Sequence, residues 1–134
     1  MSGAGFHEGG CLCGALRYRF VGPVHSPHFC SCRMCQRVTG APTVAWGNVA
    51  RDRFAWIGTG GEPVWYRSSE RTLRGHCATC GGGAVCLDDG ADMVCISLAS
   101  LDDPESALPT RHIYADGAAT WLKLDGDLKE TFNG

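Results

Sequence analysis

Cys30-Ser31-Cys32-Arg33-Met34-Cys35 packs three cysteines into six residues, and it does not stand alone. Cys11-Leu12-Cys13 lies upstream and Cys77-Ala78-Thr79-Cys80 downstream, so seven of the nine cysteines fall into three tight clusters. A tetrahedral zinc takes four ligands, and closed thiolate sites staple folds, whereas a site with three protein ligands keeps a position for chemistry. The two outer clusters together supply four thiolates, and the central cluster supplies three. The reading is a structural zinc on Cys11, Cys13, Cys77 and Cys80, and a second zinc on Cys30, Cys32 and Cys35. The fourth ligand of the second ion is left open by spacing: water, a substrate thiolate, or His25, His28 or His76.

Working outward, the chain has 134 residues, the size of one ordinary domain, and residues 1–134 are expected to form one with its core at about 9–132. Charged residues make up 19%, and the formal charge of −2 gives no basic footprint for nucleic acid or an anionic membrane. Residues 1–10 have neither an apolar run nor a basic start, so no export signal or membrane span is expected. A cytoplasmic location follows, where thiols stay reduced and clustered cysteines read as metal ligands rather than disulfides. The odd cysteine count and the adjacency of Cys11 to Cys13 also disfavour a disulfide scaffold.

The chain between the clusters reads as strand. Leu16, Tyr18 and Phe20 alternate with Arg17 and Arg19 over residues 15–20, a half-buried strand. Further strands are expected at 43–49, 54–58, 64–67, 72–76, 83–87, 93–98 and 111–114, separated by turns such as Gly58-Thr59-Gly60-Gly61 and Asp102-Asp103-Pro104. A short helical turn is expected over residues 33–39. The class is all-β, with short antiparallel sheets, little helix, and zinc pinning the sheets together. Gly14 and Gly81, which end the outer cysteine hairpins, fit tight turns around a metal. Cys86 and Cys95, alone within apolar patterns, read as small buried hydrophobes. Arg17, Arg37, Arg67, Arg71 and Arg74 are candidate carboxylate anchors that spacing does not rank.

Three thiolates on Zn²⁺ leave a net negative complex, a poor activator of water and a better host for a soft thiolate. A small-molecule thiol is therefore the favoured ligand, and a thiolate adds readily to an aldehyde carbonyl.

Gly9-Gly10-Cys11-Leu12-Cys13-Gly14-Ala15-Leu16-Arg17-Tyr18, the block from Cys30 to Ala41, and Arg74-Gly75-His76-Cys77-Ala78-Thr79-Cys80-Gly81 resemble the three linked motifs of the glutathione-dependent formaldehyde-activating enzymes, which share their domain with centromere protein V. Leu101 to Pro104, His112-Ile113-Tyr114 and Trp121 extend the likeness towards Phe132. The resemblance implies a tent-like arrangement of β-sheets and the same division of two zinc ions, with the ion on Cys30, Cys32 and Cys35 accessible and catalytic. It also implies a carbon–sulfur lyase activity that joins glutathione and formaldehyde into S-hydroxymethylglutathione. Ser31 replaces the histidine, and His76 the aromatic, that many relatives carry; neither change removes a ligand. Ser31 and Gln36 are candidate donors to the aldehyde oxygen. The alternatives are a non-catalytic zinc-stapled binding module and a metal or aldehyde sensor.

Overall fold

The computed structural model describes residues 5–124. Ten strands and one short α-helix follow in order: β1 (Phe6–Gly10), β2 (Arg17–Val21), β3 (His25–Cys30), α1 (Arg33–Thr39), β4 (Val44–Ala50), β5 (Phe54–Trp56), β6 (Val64–Arg67), β7 (Thr72–His76), β8 (Gly83–Asp88), β9 (Met93–Ser97) and β10 (His112–Ile113). They build a three-stranded sheet, β1-β2-β5, and a seven-stranded sheet, β10-β3-β4-β9-β8-β7-β6. The protein is mainly β, as the alternating pattern indicates. The expected core boundary at 132 lies outside the described residues.

Two strands escape the pattern-based reading. β1 carries two glycines, and β3 carries Pro27 and breaks register between His25 and His28, with Ser26 at φ 50°. Neither presents a clean alternation. The pairing of β10 with β3 is parallel, where antiparallel neighbours were expected; it is a two-residue ladder joining segments far apart in sequence. α1 covers the expected residues. The Cys32 sulfur caps it by accepting the Cys35 N–H at 3.2 Å, so the central cluster nucleates its own helix.

Strand alternation divides the large sheet into two faces with different jobs. On one face, Ala45 and Val49 of β4, Val94 and Ile96 of β9, and Val85 and Leu87 of β8 pack on Tyr18, Phe20, Phe54 and Trp56 of the small sheet. This is the main apolar core, and Tyr18 and Phe20 are fully buried in it. The Tyr18 hydroxyl bonds Ser100 Oγ at 2.7 Å, and burial pushes its pKa up to about 12. Gly9 is required beside it: a Cβ there would stand 2.4 Å from both the Ser100 carbonyl oxygen and the Tyr18 hydroxyl.

The opposite face carries the central cysteines. Val44 and Trp46 alternate out of the core and pack with Cys30 and Cys35, and Cys86 and Cys95 join them from β8 and β9. The register lines up Tyr66, Arg74, Cys86, Cys95 and Asn48 as one row across five strands.

Candidate metal centres

The sulfurs of Cys11, Cys13, Cys77 and Cys80 all lie within 4.8 Å of one another, as do those of Cys30, Cys32 and Cys35. The structure thus brings together each set that the spacing paired. None of the nine cysteines is in a disulfide. Nearest S···S distances are 3.7 Å for Cys11–Cys13 and for Cys13–Cys77, and 3.6 Å for Cys30–Cys35. A tetrahedral ion with Zn–S of about 2.3 Å spaces its sulfurs about 3.8 Å apart, so both donor sets fit such an ion, whereas a disulfide needs about 2.0 Å. Each cluster can hold a metal ion.

The four-sulfur group joins two knuckles. Cys77 N–H donates to Gly82 O at 2.9 Å and Gly81 N–H to Cys77 O at 2.9 Å; in the other knuckle Cys11 N–H meets Leu16 O at 3.1 Å. Gly14 and Gly81 adopt φ of 84° and 77°, the left-handed region that their hairpin positions predicted. Backbone amides point at the sulfurs: Leu16 N–H at Cys11 (3.3 Å), Thr79 N–H at Cys77 (3.3 Å) and Gly82 N–H at Cys80 (3.4 Å). Such bonds favour thiolate, and the amides of Cys80 and Thr79 hold the Cys77 pKa below the ordinary thiol value. The two knuckles tie the start of β2 to the β7–β8 hairpin, so an ion here clamps the small sheet to the large one.

The three-sulfur group lies deeper. Cys30 and Cys35 are buried, and Cys32 is partly exposed. Cys30 ends β3, Cys32 caps α1, and Cys35 lies in the helix's first turn. Contacts with the Cys30 and Cys32 sulfurs, followed by the charge of Arg74, lower the pKa of Cys35, while contacts with Cys32 and Cys35 and burial raise that of Cys30. Among the described residues neither group includes a histidine. His28 Nδ1 faces the Ser26 carbonyl at 2.6 Å, and His76 lines a cleft described below.

Ser31 and Gln36 sit beside the trio, but their donors are committed. Ser31 Oγ donates to Thr43 Oγ1 at 2.9 Å and pairs with His112 Nε2 at 2.7 Å. Gln36 Nε2 spends both hydrogens, on Ser31 O at 2.6 Å and Gly117 O at 3.0 Å. Both therefore brace the cysteine loop rather than face a substrate, which corrects the expectation that either polarises an aldehyde. Asp102, read as a turn residue, forms a two-pronged pair with Arg17 at 2.8 and 2.6 Å, and Asp103 Oδ1 accepts the Glu105 N–H at 3.1 Å.

Cys86 and Cys95 differ from expectation in their surroundings. They are half-buried, face each other across β8 and β9, and pack on the cysteine trio rather than in the main core. Arg74 is the arginine that spacing did not single out. Its Nη2 lies 3.6 Å from Cys35 Sγ, its Nε donates to Ser68 Oγ at 3.0 Å, and its head lies 6.0 Å from the Trp46 ring centroid. The signal was present: Arg74 alternates with Leu73 and Gly75, which puts it on the face away from the apolar core.

β8 and β9 pair at Val85–Ile96 and Cys86–Cys95 and then part company. A cleft of about 720 Å³ is walled by residues of α1, β4, β6 and β7 and by the turn at Gly81–Gly83. Val38, Thr39, Tyr66, Arg74, His76 and Gly82 are among its walls.

Comparison with known proteins agrees with this architecture. No curated protein matches the chain. A crystal structure of a Rhodobacter sphaeroides protein, determined as a structural-genomics target, superposes with a TM-score of 0.58 at 18% identity, covering 76% of this chain and 97% of the other. That likeness shows the fold. Residues 6–117 match the family model described as glutathione-dependent formaldehyde-activating enzyme, a span that contains both cysteine groups and every described strand. The chain therefore belongs to the glutathione-dependent formaldehyde-activating enzyme family.

Proposed function

We propose that the protein is a zinc-dependent carbon–sulfur lyase-type enzyme that forms and cleaves the adduct of a small thiol and a small aldehyde. The observation that carries this reading is the inequality of the two sulfur groups, four donors against three, with a cleft walled in part by Val44 and Arg74, which touch the three. Cys11, Cys13, Cys77 and Cys80 hold the structural ion; Cys30, Cys32 and Cys35 hold the second one. When bound there, zinc stabilises a thiol ligand as thiolate. Glutathione and formaldehyde, the pair named in the family's description, are the first candidates.

The rest belongs to the chain's own residues. Val44 and Arg74, both neighbours of the trio, line the cleft and lead a substrate to it. Gln36 and Ser31 fix the loop that carries the three sulfurs. In the reaction the thiol sulfur attacks the carbonyl carbon, a C–S bond forms, and the carbonyl π pair moves to oxygen. The proton lost by sulfur ends on that oxygen through solvent, and cleavage runs the same steps backwards. Cysteines clustered as metal ligands, with none in a disulfide, suit a reducing compartment, so the location proposed is cytoplasmic, with residues 1–134 as a single domain. No described helix is long and apolar enough to cross a membrane.

The test is exchange spectroscopy on ¹³C-formaldehyde with glutathione, comparing protein with buffer. The wild-type protein accelerates exchange between the free aldehyde and the adduct, and Cys32→Ser does not. Exchange no faster than in buffer, with both metal sites loaded, overturns the proposal.

A further inference from the structure

The cleft has one formally charged side chain among the described residues lining it, Arg74. The rest of the named wall is alanine, valine, threonine, serine and glycine, with Tyr66 and His76 at the β6–β7 side. Arg74 is not fully used. Nε is spent on Ser68 and Nη2 on Cys35, but Nη1 is shielded from water and has no hydrogen-bond partner among the described residues. A shielded N–H without a partner is costly, and such a group is a donor awaiting its acceptor. Arg74 stands between Tyr66 and Cys86 in the strand register, and its head lies 6.0 Å from the Trp46 ring centroid. Its flexible stem still allows the head to turn towards the cleft as a ligand enters.

We propose that Arg74 is the anion anchor of this cleft, and that the thiol it admits is a small aliphatic one carrying a carboxylate within a few bonds of its sulfur. The inference rests on the functional reading above and adds the class of its substrate. The chemistry selects a carboxylate over a phosphate. A planar guanidinium presents paired N–H donors that match a carboxylate, and the described residues lining the cleft include no second arginine or lysine for a dianion. The distance sets the spacing. Nη2 lies 3.6 Å from Cys35 Sγ, so the anchor and the sulfur trio are immediate neighbours, and the ligand's two polar ends must be close together. The apolar wall takes the short stem between them. Charge gives a further reason. Three thiolates around a divalent ion carry a net negative charge, which repels an anionic thiol unless a cation stands beside it.

The experiment titrates the metal-loaded protein with 3-mercaptopropionate and with its neutral amide, 3-mercaptopropionamide. Calorimetry reads affinity, and the visible bands of cobalt-substituted protein read sulfur at the metal. In the wild type the carboxylate binds about tenfold or more tightly than the amide, a difference of about 1.4 kcal/mol per factor of ten. In Arg74→Gln the two bind alike, and Arg74→Lys, which keeps the charge but loses the fork, retains part of the preference. Circular dichroism and a count of bound metal establish that each variant is folded, and Arg74→Lys decides the matter if Arg74→Gln is not. Equal affinity for the two probes in the wild type, with the cobalt bands responding, overturns the anchor and leaves the thiol-binding reading intact. A preference that survives Arg74→Gln overturns it as well. An Arg74-dependent preference without any cobalt response upholds the anchor and removes the thiol from the metal. Binding of neither probe overturns both.

Discussion

Gln36→Met isolates what holds the three-cysteine loop in shape. Gln36 is 8% exposed on α1, and its amide bridges Ser31 O, between Cys30 and Cys32, to Gly117 O in the segment after β10. Methionine keeps the length and the helix propensity and removes both donors. Two amide–carbonyl bonds contribute about 1 kcal/mol each, and stranding the Ser31 carbonyl, in a residue with no exposure, adds about 1–2 more. The expected loss is about 3 kcal/mol, a large part of the 5–15 kcal/mol that domains of this kind possess. The loop also carries metal ligands, and bracing groups of this sort typically change metal affinity by about tenfold or more. Urea unfolding of the zinc-loaded variant reads the first effect, and zinc transfer to a chromogenic chelator reads the second. The zinc that leaves faster is one ion per chain, the one on the trio. An unfolding midpoint and a release profile equal to wild type would refute the bracing role.

The two sulfur groups respond differently to loss of a ligand. Cys80→Ser unclamps segments more than sixty residues apart in sequence and abolishes cooperative unfolding, whereas Cys32→Ser lowers zinc from two ions to one and keeps the far-ultraviolet spectrum. Gly9→Ala drives a Cβ to within 2.4 Å of the Ser100 carbonyl and the Tyr18 hydroxyl, and costs about 2–3 kcal/mol by denaturant titration. The Asp102 carboxyl is held below the ordinary carboxylate range, first by the hydrogen bonds from Arg17 and then by its charge. A depressed carboxylate stabilises the fold above its unfolded pKa of about 4 and loses that contribution as pH falls through the folded value. Asp102→Asn is accordingly less stable than wild type at pH 7 by under about 1 kcal/mol, since the pair is solvent-exposed, and the gap closes as the solution is acidified. A constant gap across the acid range contradicts the assignment.

Local pattern carried most of this structure. Alternation in residues 15–20 places Tyr18 and Phe20 in the core, and cysteine spacing alone divides seven sulfurs into the two groups that the fold assembles. What spacing could not supply is what the register decides. β1 and β3 lack alternation because glycines and Pro27 stand where apolar residues would advertise a strand. Arg74, Cys86 and Cys95 are unremarkable in sequence; three strands must pair in one register before they become a row beside the cysteine trio. Ser31 and Gln36 looked like substrate donors because proximity in sequence is visible, whereas their true partners, His112 and Gly117, lie some eighty residues away.

Metal analysis of protein purified without added metal or chelator, followed by cobalt substitution with and without glutathione, tests the central claim most directly. Two ions per chain are expected, with bands that shift on thiol addition for one cobalt centre and stay fixed for the other. Two ions with no response to thiol at either centre would contradict it, because both sites would then be closed.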